Sequence, residues 1–500
     1  MKNSQPNPWI YRIMAGFGFA VLFCVLWSLR SWNLDIGDGE FCCKQTIGET
    51  AFPNTLTRSF LSYLLYRAMF SALHPVLNWW VEDIIALSSC AAGLLFFGAL
   101  VWLANQCAKT RSEWWFVVLF PSTSLILQVF CGHIEFYPWM CATLMLSVYF
   151  AWRCVNRGDS PLWASAAMAL SAGFHSSGVF YFPALLLLPA LRNKGAVKRS
   201  DWGFIGAFLV LYLITAMLHR QPLYFFAVAF IAVPLYLYAA PADWQARLKP
   251  WMTVYLPWLV LFTLRASLWL KDEPLLEHIA PLGDPYDHGA YLYTFFSIDH
   301  LYDKSMFHLW LAPLGLPVFI TALVFAYKRI QRDPWMAYLA HLCVWTMVWS
   351  IMFYPQLRSR DWDLFASMSI PLNVFALFAL WNFASRRTFQ IVVSLTIAAH
   401  LCISMPVIIR NSSLLEHRGY VTVSYESKPV QSKAFLRGLE LGVTPITQKN
   451  VRAGQAEVRM VPLKRGHGSW SQDLIFKDGE TYQFFETLIE VETPPIPENP

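Results

Sequence analysis

Acidic side chains stand at the end of the first apolar run of this sequence. Asp38 and Glu40 occur in "GDGE" at 37–40, and a glycine flanks Asp38 on each side. Glycine does not favour continued helix, so this pattern predicts a tight, extended loop. A carboxylate held on such a turn is suited to removing a proton from a hydroxyl group. Asp38 and Glu40 are therefore the candidate catalytic residues.

A second group of polar residues occurs in "CGHIEFYPW" at 131–139. His133, Glu135 and Tyr137 alternate, so an extended segment would point all three side chains to one side. Such a cluster is suited to binding the hydroxyl groups of a polar ligand. Together with the two acids of the first loop it would also suit Mg²⁺ or Mn²⁺, and the sequence leaves both alternatives open without firmly predicting a cofactor.

The stretch "RSRDWD" combines two arginines with two acids after another apolar run. The planar guanidinium groups of Arg358 and Arg360 are suited to phosphate. Asp361 and Asp363 would orient these arginines or bind hydroxyl groups of the ligand. The alternative is an ion-pair cluster that only locks two neighbouring helices. His300, which precedes a later apolar run, is a further candidate for substrate binding.

The composition identifies a membrane protein. Of 500 residues, 56% are hydrophobic and only 14% are charged, whereas soluble domains carry about 25% charged residues. The net charge of +6 is spread over small groups and indicates no nucleic-acid partner. No small-residue cleavage site follows the first apolar run, so we expect a retained helix. About thirteen spanning helices are predicted, at 13–30, 82–104, 114–132, 138–153, 161–177, 178–191, 202–218, 222–240, 251–270, 306–327, 335–353, 364–383 and 388–409.

Lysines and arginines cluster in alternate connections between these runs, and the N-terminus lies on the same side as those clusters. The positive-inside rule makes that side cytoplasmic. All the candidate residues above then lie on the external face, where charges near membrane depth mark functional sites. The segment 54–80 has apolar residues at helical spacing interrupted by cations, which predicts an amphipathic helix in the outer interface. If it spanned instead, the orientation of everything after it would reverse.

The composition changes after Arg410. Short alternating runs with glycine turns predict a small β-sandwich over 411–490, outside the membrane, and a disordered Pro-rich tail over 491–500. "RGLELGVTPI" at 437–446 and "VRAGQAEVRM" at 451–460 resemble the PEGA domain, with Arg437 where that family usually has Asp. The domain would bind envelope glycans or proteins, or act as a passive cap.

The first 410 residues resemble the GT-C superfamily of integral-membrane glycosyltransferases. The shared features are the first helix with its external acidic motif, the interfacial helix and the many spans. "GHIEFYPW" and "RSRDWDLFA" further resemble a bacterial subgroup of GT-C-like proteins. The expected fold is an all-α polytopic membrane protein, GT-C-like, with a small C-terminal extracytoplasmic β-sandwich.

The resemblance implies a glycosyltransferase of the bacterial cytoplasmic membrane. It would move a sugar from a polyprenyl-phosphate-linked donor to a glycan, lipid or protein acceptor outside the cytoplasm. The alternative is a flippase for lipid-linked glycans. A transporter should show internal repeats and polar residues at the bilayer midplane, whereas the polar residues here lie at the outer ends of helices.

Overall fold

The computed structural model of the protein describes most of the chain. The described residues are 8–33, 37, 39–47, 59–185, 187–192, 297–353, 361–413, 420–428, 430–437, 439–452, 454–463, 469–477 and 479–487. Helices account for the described structure as far as Ser412, and strands follow from Tyr420. The expected combination of a helical membrane region with a C-terminal β region is thus confirmed at this coarse level.

The described helices have the following bounds: α1 Pro8–Ser28, α2 Gly39–Ile47, α3 Phe60–Leu77, α4 Val81–Cys107, α5 Arg111–Ser122, α6 Ile126–Phe130, α7 Tyr137–Arg157, α8 Leu162–Phe174, α9 Phe182–Leu185, α10 Leu188–Leu191, α11 Ile298–Leu311, α12 Gly315–Arg332, α13 Pro334–Met352, α14 Ser369–Phe383 and α15 Arg386–Ser412. Short 3₁₀ turns at Ser176–Tyr181 and Ala366–Met368 precede α9 and α14.

Three helical stretches among the described residues are long and apolar enough to cross a membrane. They are α4, α15, and α14 together with its preceding 3₁₀ turn. A fourth is obtained when α11 and α12 are taken as one broken span. The chain is therefore a multi-pass membrane protein. The predicted helix within 54–80 forms as α3, and it is not among these stretches.

Three predicted spans are not continuous α-helices. The one at 178–191 comprises the end of a 3₁₀ turn and the short helices α9 and α10. The span at 114–132 was expected to be one helix, but α5 ends at Ser122 and α6 begins at Ile126. Pro121 lies in the last turn of α5, where it lacks the N–H needed to continue the helix. The span at 306–327 is bent by 95° between α11 and α12, at a junction that contains Pro313. The predicted spans 202–218, 222–240 and 251–270 lie outside the described residues.

The long helix α4 lies at the centre of the described membrane region and packs against α1, α5 and α7. Close packing depends on Gly93, because a Cβ there would lie 2.8 Å from Leu26 Cδ1 and 2.9 Å from Phe130 Cβ. Both distances are shorter than van der Waals contact, so only glycine lets α1 and α6 approach α4 this closely. The N-terminal end of α4 lies beside the segment 131–136.

The C-terminal β region consists of two sheets. Strands β1 (Tyr420–Lys428), β4 (Ile446–Arg452) and β7 (Thr481–Thr487) form one sheet in the order β4-β1-β7, with β1 and β7 parallel. Strands β2 (Ser432–Leu436), β3 (Leu439–Val443), β5 (Gly454–Pro462) and β6 (Trp470–Phe476) form an antiparallel sheet in the order β3-β2-β5-β6. Alternate apolar residues of both sheets are buried, as in a sandwich.

Two glycines of α4 provide a matched test of this packing. Gly93→Ala introduces a methyl group against Leu26 and Phe130, so we expect it to lower the thermal stability of the detergent-solubilised protein. A Cβ at position 98 would meet only the Phe19 ring, with 3.7 Å to Cζ, which is an ordinary contact distance. Gly98→Ala should therefore leave stability unchanged or raise it slightly, because alanine favours helix by about 0.8–1.0 kcal/mol over glycine. Equal melting temperatures for the two variants would contradict the close approach at Gly93.

Candidate functional site

Two buried carboxylates meet the backbone of the loop that follows α1. Gly37 has a φ of +65°, and a Cβ at this position would collide with Asp363 Oδ2 and lie 2.5 Å from Glu135 Oε1. Gly37 immediately precedes Asp38, which lies outside the described residues. The backbone therefore carries the predicted catalytic turn to the side chains of two other predicted site segments.

His133 and Asp363 form a buried pair at the centre of this convergence. His133 Nε2 donates to Asp363 Oδ2 over 3.0 Å, and both side chains are 1% exposed. Asp363 Oδ1 also accepts from the N–H of Leu364 at 2.9 Å. The His133 ring stacks on Trp362, with 5.8 Å between ring centroids. The pair thus connects the segment after α6 to the segment after α13.

Glu135 is fully buried, and its main chain is held by α3. Its Oε2 accepts from the N–H of Phe136 at 3.2 Å. Its backbone carbonyl accepts from the Tyr66 hydroxyl at 2.6 Å, and Ser62 of the same helix donates to the Phe136 carbonyl at 3.1 Å. Helix α3 therefore fixes the main chain on both sides of the Glu135 side chain.

Not all of the alternating residues share this cluster. Tyr137 begins α7, and its ring packs edge-on against His175 with 4.8 Å between centroids. His175 in turn caps the following 3₁₀ turn by accepting from the N–H of Ser177 at 3.2 Å. The structure thus brings His133 and Glu135 together but directs Tyr137 to a neighbouring position.

Glu40 lies in the first turn of α2 with its side chain 72% exposed. It pairs with Lys44 one turn later, at 2.7 Å. Its carboxylate therefore faces away from the buried acids, unlike the backbone of Gly37. A catalytic role for Glu40 stays a prediction from the sequence.

The "RSRDWD" segment at 358–363 is described from Asp361 onward, whereas Arg358 and Arg360 lie outside the described residues. Asp361 is buried, as is His300 in the first turn of α11.

Lys304 of α11 was not among the predicted site residues. It is buried, and its Nζ donates to the Phe353 carbonyl at 2.7 Å while lying 4.0 Å from the centre of the Phe365 ring. Burial disfavours the charged form of this lysine, and the carboxylates of Asp303 and Asp361 favour it. Its sequence position offered a signal, because a lone lysine at the external end of an apolar run is a candidate functional residue.

The described residues contain no group of three histidines, cysteines or acids placed to hold a metal ion. Nε2 of His133 is already hydrogen-bonded to Asp363. A Mg²⁺ or Mn²⁺ site with the acids of the first loop would need Asp38 as a ligand.

No known protein-family model matches this sequence, and no curated protein is similar to it in sequence. Solved structures are similar in fold. The oligosaccharyltransferase AglB from Archaeoglobus fulgidus, in complex with an inhibitory peptide and a dolichol-phosphate, matches with a TM-score of 0.45 and 10% identity. The apo form of the Archaeoglobus fulgidus oligosaccharyltransferase matches with a TM-score of 0.46 and 12% identity. ArnT from Cupriavidus metallidurans, bound to undecaprenyl phosphate, matches with a TM-score of 0.36 and 12% identity.

These matches cover most of this chain but only part of the neighbours. They include 80%, 79% and 81% of this chain, and 56%, 55% and 66% of the respective neighbours. The chain thus spans little more than half the length of the oligosaccharyltransferases it matches.

The buried pair can be tested by its contribution to stability. His133→Ala leaves the Asp363 carboxylate buried without this partner, which we expect to cost about 3–5 kcal/mol of unfolding free energy. Unfolding in mixtures of detergent and SDS measures the change. Asp159→Asn, which removes the half-exposed pair with Arg153, is the control and should cost about 0–1 kcal/mol. A similar small cost for both variants would show that the buried pair is not stabilising.

Proposed function

We propose that this chain is a membrane glycosyltransferase that moves a sugar from a polyprenyl-phosphate-linked donor to an acceptor outside the cytoplasm. The observation that carries the proposal is the meeting of Gly37, Glu135 and Asp363. Three segments that are far apart in sequence meet here. Two of them bring the buried acids Glu135 and Asp363 to Gly37, the residue immediately before Asp38. Burial of a charge costs free energy, so buried acids are candidates for a functional site.

A polyprenyl phosphate is a good leaving group and needs little acid assistance. The acceptor hydroxyl needs a base, and Asp38 fills this role in the proposal. The acceptor oxygen attacks the anomeric carbon, the bond from that carbon to the phosphate oxygen breaks, and the hydroxyl proton passes to Asp38. The lipid phosphate leaves with the bonding electrons. Glu40, nearby on α2, would assist in orienting the acceptor.

The buried acids and His133 would hold the reacting groups in place. Glu135 keeps Oε1 at the Gly37 backbone, where it can accept from a sugar hydroxyl that enters beside the turn. Asp363 is held by His133 and by the Leu364 N–H, so its position is fixed before substrate binds. Preorganised groups of this kind need no reorganisation during the reaction.

Cations would bind the departing phosphate. Arg358 and Arg360 are suited to this role by their planar donors, and Lys304 adds a compact charge. Asp361 attracts Lys304 and would orient the arginines that precede it in sequence. Tyr137 and His300 lie at neighbouring positions, where they would contact the sugar or the acceptor.

The topology predicted from basic residues places this site at the outer face of a bacterial cytoplasmic membrane. The N-terminus would be cytoplasmic and the β domain extracytoplasmic. The donor would reach the site from the bilayer, and the glycan, lipid or protein acceptor would approach from outside.

Release of the lipid phosphate tests the proposal directly. With purified protein in nanodiscs and radiolabelled polyprenyl-phosphate sugars, we expect wild type to release the lipid phosphate. Asp38→Asn should lower the rate by about 10²- to 10⁴-fold, because it removes the general base. Asp159→Asn is the control and should keep the wild-type rate. Full activity of Asp38→Asn would exclude this assignment, and transport without release would favour a flippase.

The role of Lys304 can be separated from that of the base. Lys304→Gln removes a positive charge from the leaving phosphate, so we expect kcat to fall by about 10²-fold. Lys328→Gln, at the opposite end of the neighbouring helix α12, is the matched control and should leave kcat unchanged. A Lys304→Gln protein with the wild-type melting temperature and the wild-type kcat would contradict the phosphate role.

A further inference from the structure

The C-terminal β domain lies against the first turn of α4, where Glu82 and Asp83 are both buried. Arg437 Nη1 donates to Glu82 Oε1 at 2.7 Å. The Tyr420 hydroxyl donates to Asp83 Oδ2 at 3.0 Å. Burial and the neighbouring Asp83 carboxylate raise the pKa of Tyr420 to about 12, so this hydroxyl stays protonated and able to donate at physiological pH. Two separate parts of the β domain thus bind the end of one helix.

The backbone at Arg437 is strained in a way that serves this contact. Its φ is +47°, a region that residues with a Cβ adopt only at a cost. The Arg437 N–H donates to the Glu457 carbonyl at 2.8 Å, which holds the turn between β2 and β3 in this conformation. The turn therefore aims a charged side chain at a buried carboxylate rather than at solvent.

The contact continues from Asp83 to the chain after α1. The Arg30 guanidinium lies between the rings of Trp27 and Trp32, 4.4 Å from each ring centre. Arg30 Nε lies 3.7 Å from Asp83 Oδ1, and its Nη2 donates to the Tyr420 hydroxyl at 3.4 Å. The β domain is thus connected to the segment that leads into the "GDGE" loop.

The same end of α4 holds the segment 131–136, which carries two candidate site residues. Ser89 of α4 donates to the His133 carbonyl at 2.6 Å. Gly132 has a φ of +55°, and a Cβ there would lie 2.5 Å from Arg30 Cβ. The segment therefore has no room to shift toward α4 or toward the end of α1.

Apolar contacts complete the connection. Ile134 and Phe136 belong to one buried cluster with Trp80 and Val81 at the start of α4. The same cluster includes core residues of the β-sandwich, among them Val423. The site segment, the end of α4 and the β domain therefore share a continuous core outside the membrane region.

We propose that the β domain is a positioning element of the active site: through Arg437 and Tyr420 it fixes the Glu82–Asp83 end of α4, and thereby the segment that carries His133 and Glu135. This role differs from binding an external glycan and from a passive cap. Its catalytic consequence rests on the function proposed above, whereas its structural consequence can be measured without any substrate.

Hydrogen exchange of the full chain in nanodiscs tests the structural part. Arg437→Gln should speed exchange of the amides in 131–136 by at least tenfold and leave α14 unchanged. Tyr420→Phe removes only a hydroxyl and should give a smaller increase in the same segment. Arg437→Lys should restore part of the protection. The control is Lys433→Gln, which breaks the exposed pair with Glu440 in the same domain and should change nothing in 131–136.

Two results would overturn the proposal. One is unchanged exchange in 131–136 in Arg437→Gln, whether or not exchange within the β domain increases. The other is an equal increase in all helices, which would indicate general destabilisation rather than positioning. The double variant Glu82→Gln/Arg437→Gln adds a coupling test, since its effect on 131–136 should be less than the two single effects combined.

Kinetics separate the catalytic consequence. If transferase activity is found, Arg437→Gln should lower kcat by about tenfold and leave the KM for the lipid-linked donor unchanged, because the site groups are misplaced while the donor still binds. An unchanged kcat together with faster exchange would overturn the catalytic part. If wild type transfers no sugar, the exchange result still decides whether the β domain positions the segment.

Discussion

The hydrogen bond between His133 and Asp363 holds the candidate site together. It joins two segments 230 residues apart in a place from which water is almost excluded. A buried carboxylate requires donors, since unpaired burial of its charge costs several kcal/mol. His133 and the Leu364 N–H satisfy this requirement. Asp363 is therefore fixed where the same oxygen, Oδ2, also meets Gly37, and that contact in turn requires glycine before Asp38.

The segment 131–136 is supported from two directions. The side chain of His133 binds Asp363, and the main chain of the segment is bound by Ser89 of α4 and by Tyr66 of α3. The N-terminal end of α4 lies beside this segment, and the helix packs against α1, α5 and α7. The β domain binds the same end through buried acids. The segment that carries His133 and Glu135 thus contacts both the helical region and the core of the β domain.

Much of the architecture was predictable from local patterns. Long apolar runs predicted most of the described helices, and short alternating runs after Arg410 predicted strands. The breaks at Pro121 and Pro313 were missed, because apolar composition alone does not show where a helix ends. For the site, the alternating spacing of polar residues grouped His133 with Glu135, and in the structure both lie at the cluster around Asp363 and Gly37. It failed for Tyr137, since α7 begins there and directs the ring toward His175.

The sequence by itself determined the residue types available for chemistry, their places at the ends of apolar runs and the division into membrane and β regions. These follow from composition and from periods of a few residues, which depend only on local chain geometry. The tertiary structure decided that Glu135 and Asp363 meet at Gly37, and that Glu40 pairs with Lys44 instead. It also decided that Lys304 binds the Phe353 carbonyl and that Arg437 binds Glu82. Such contacts join residues up to 355 positions apart, and they arise from the packing of whole helices and sheets, which no local pattern encodes.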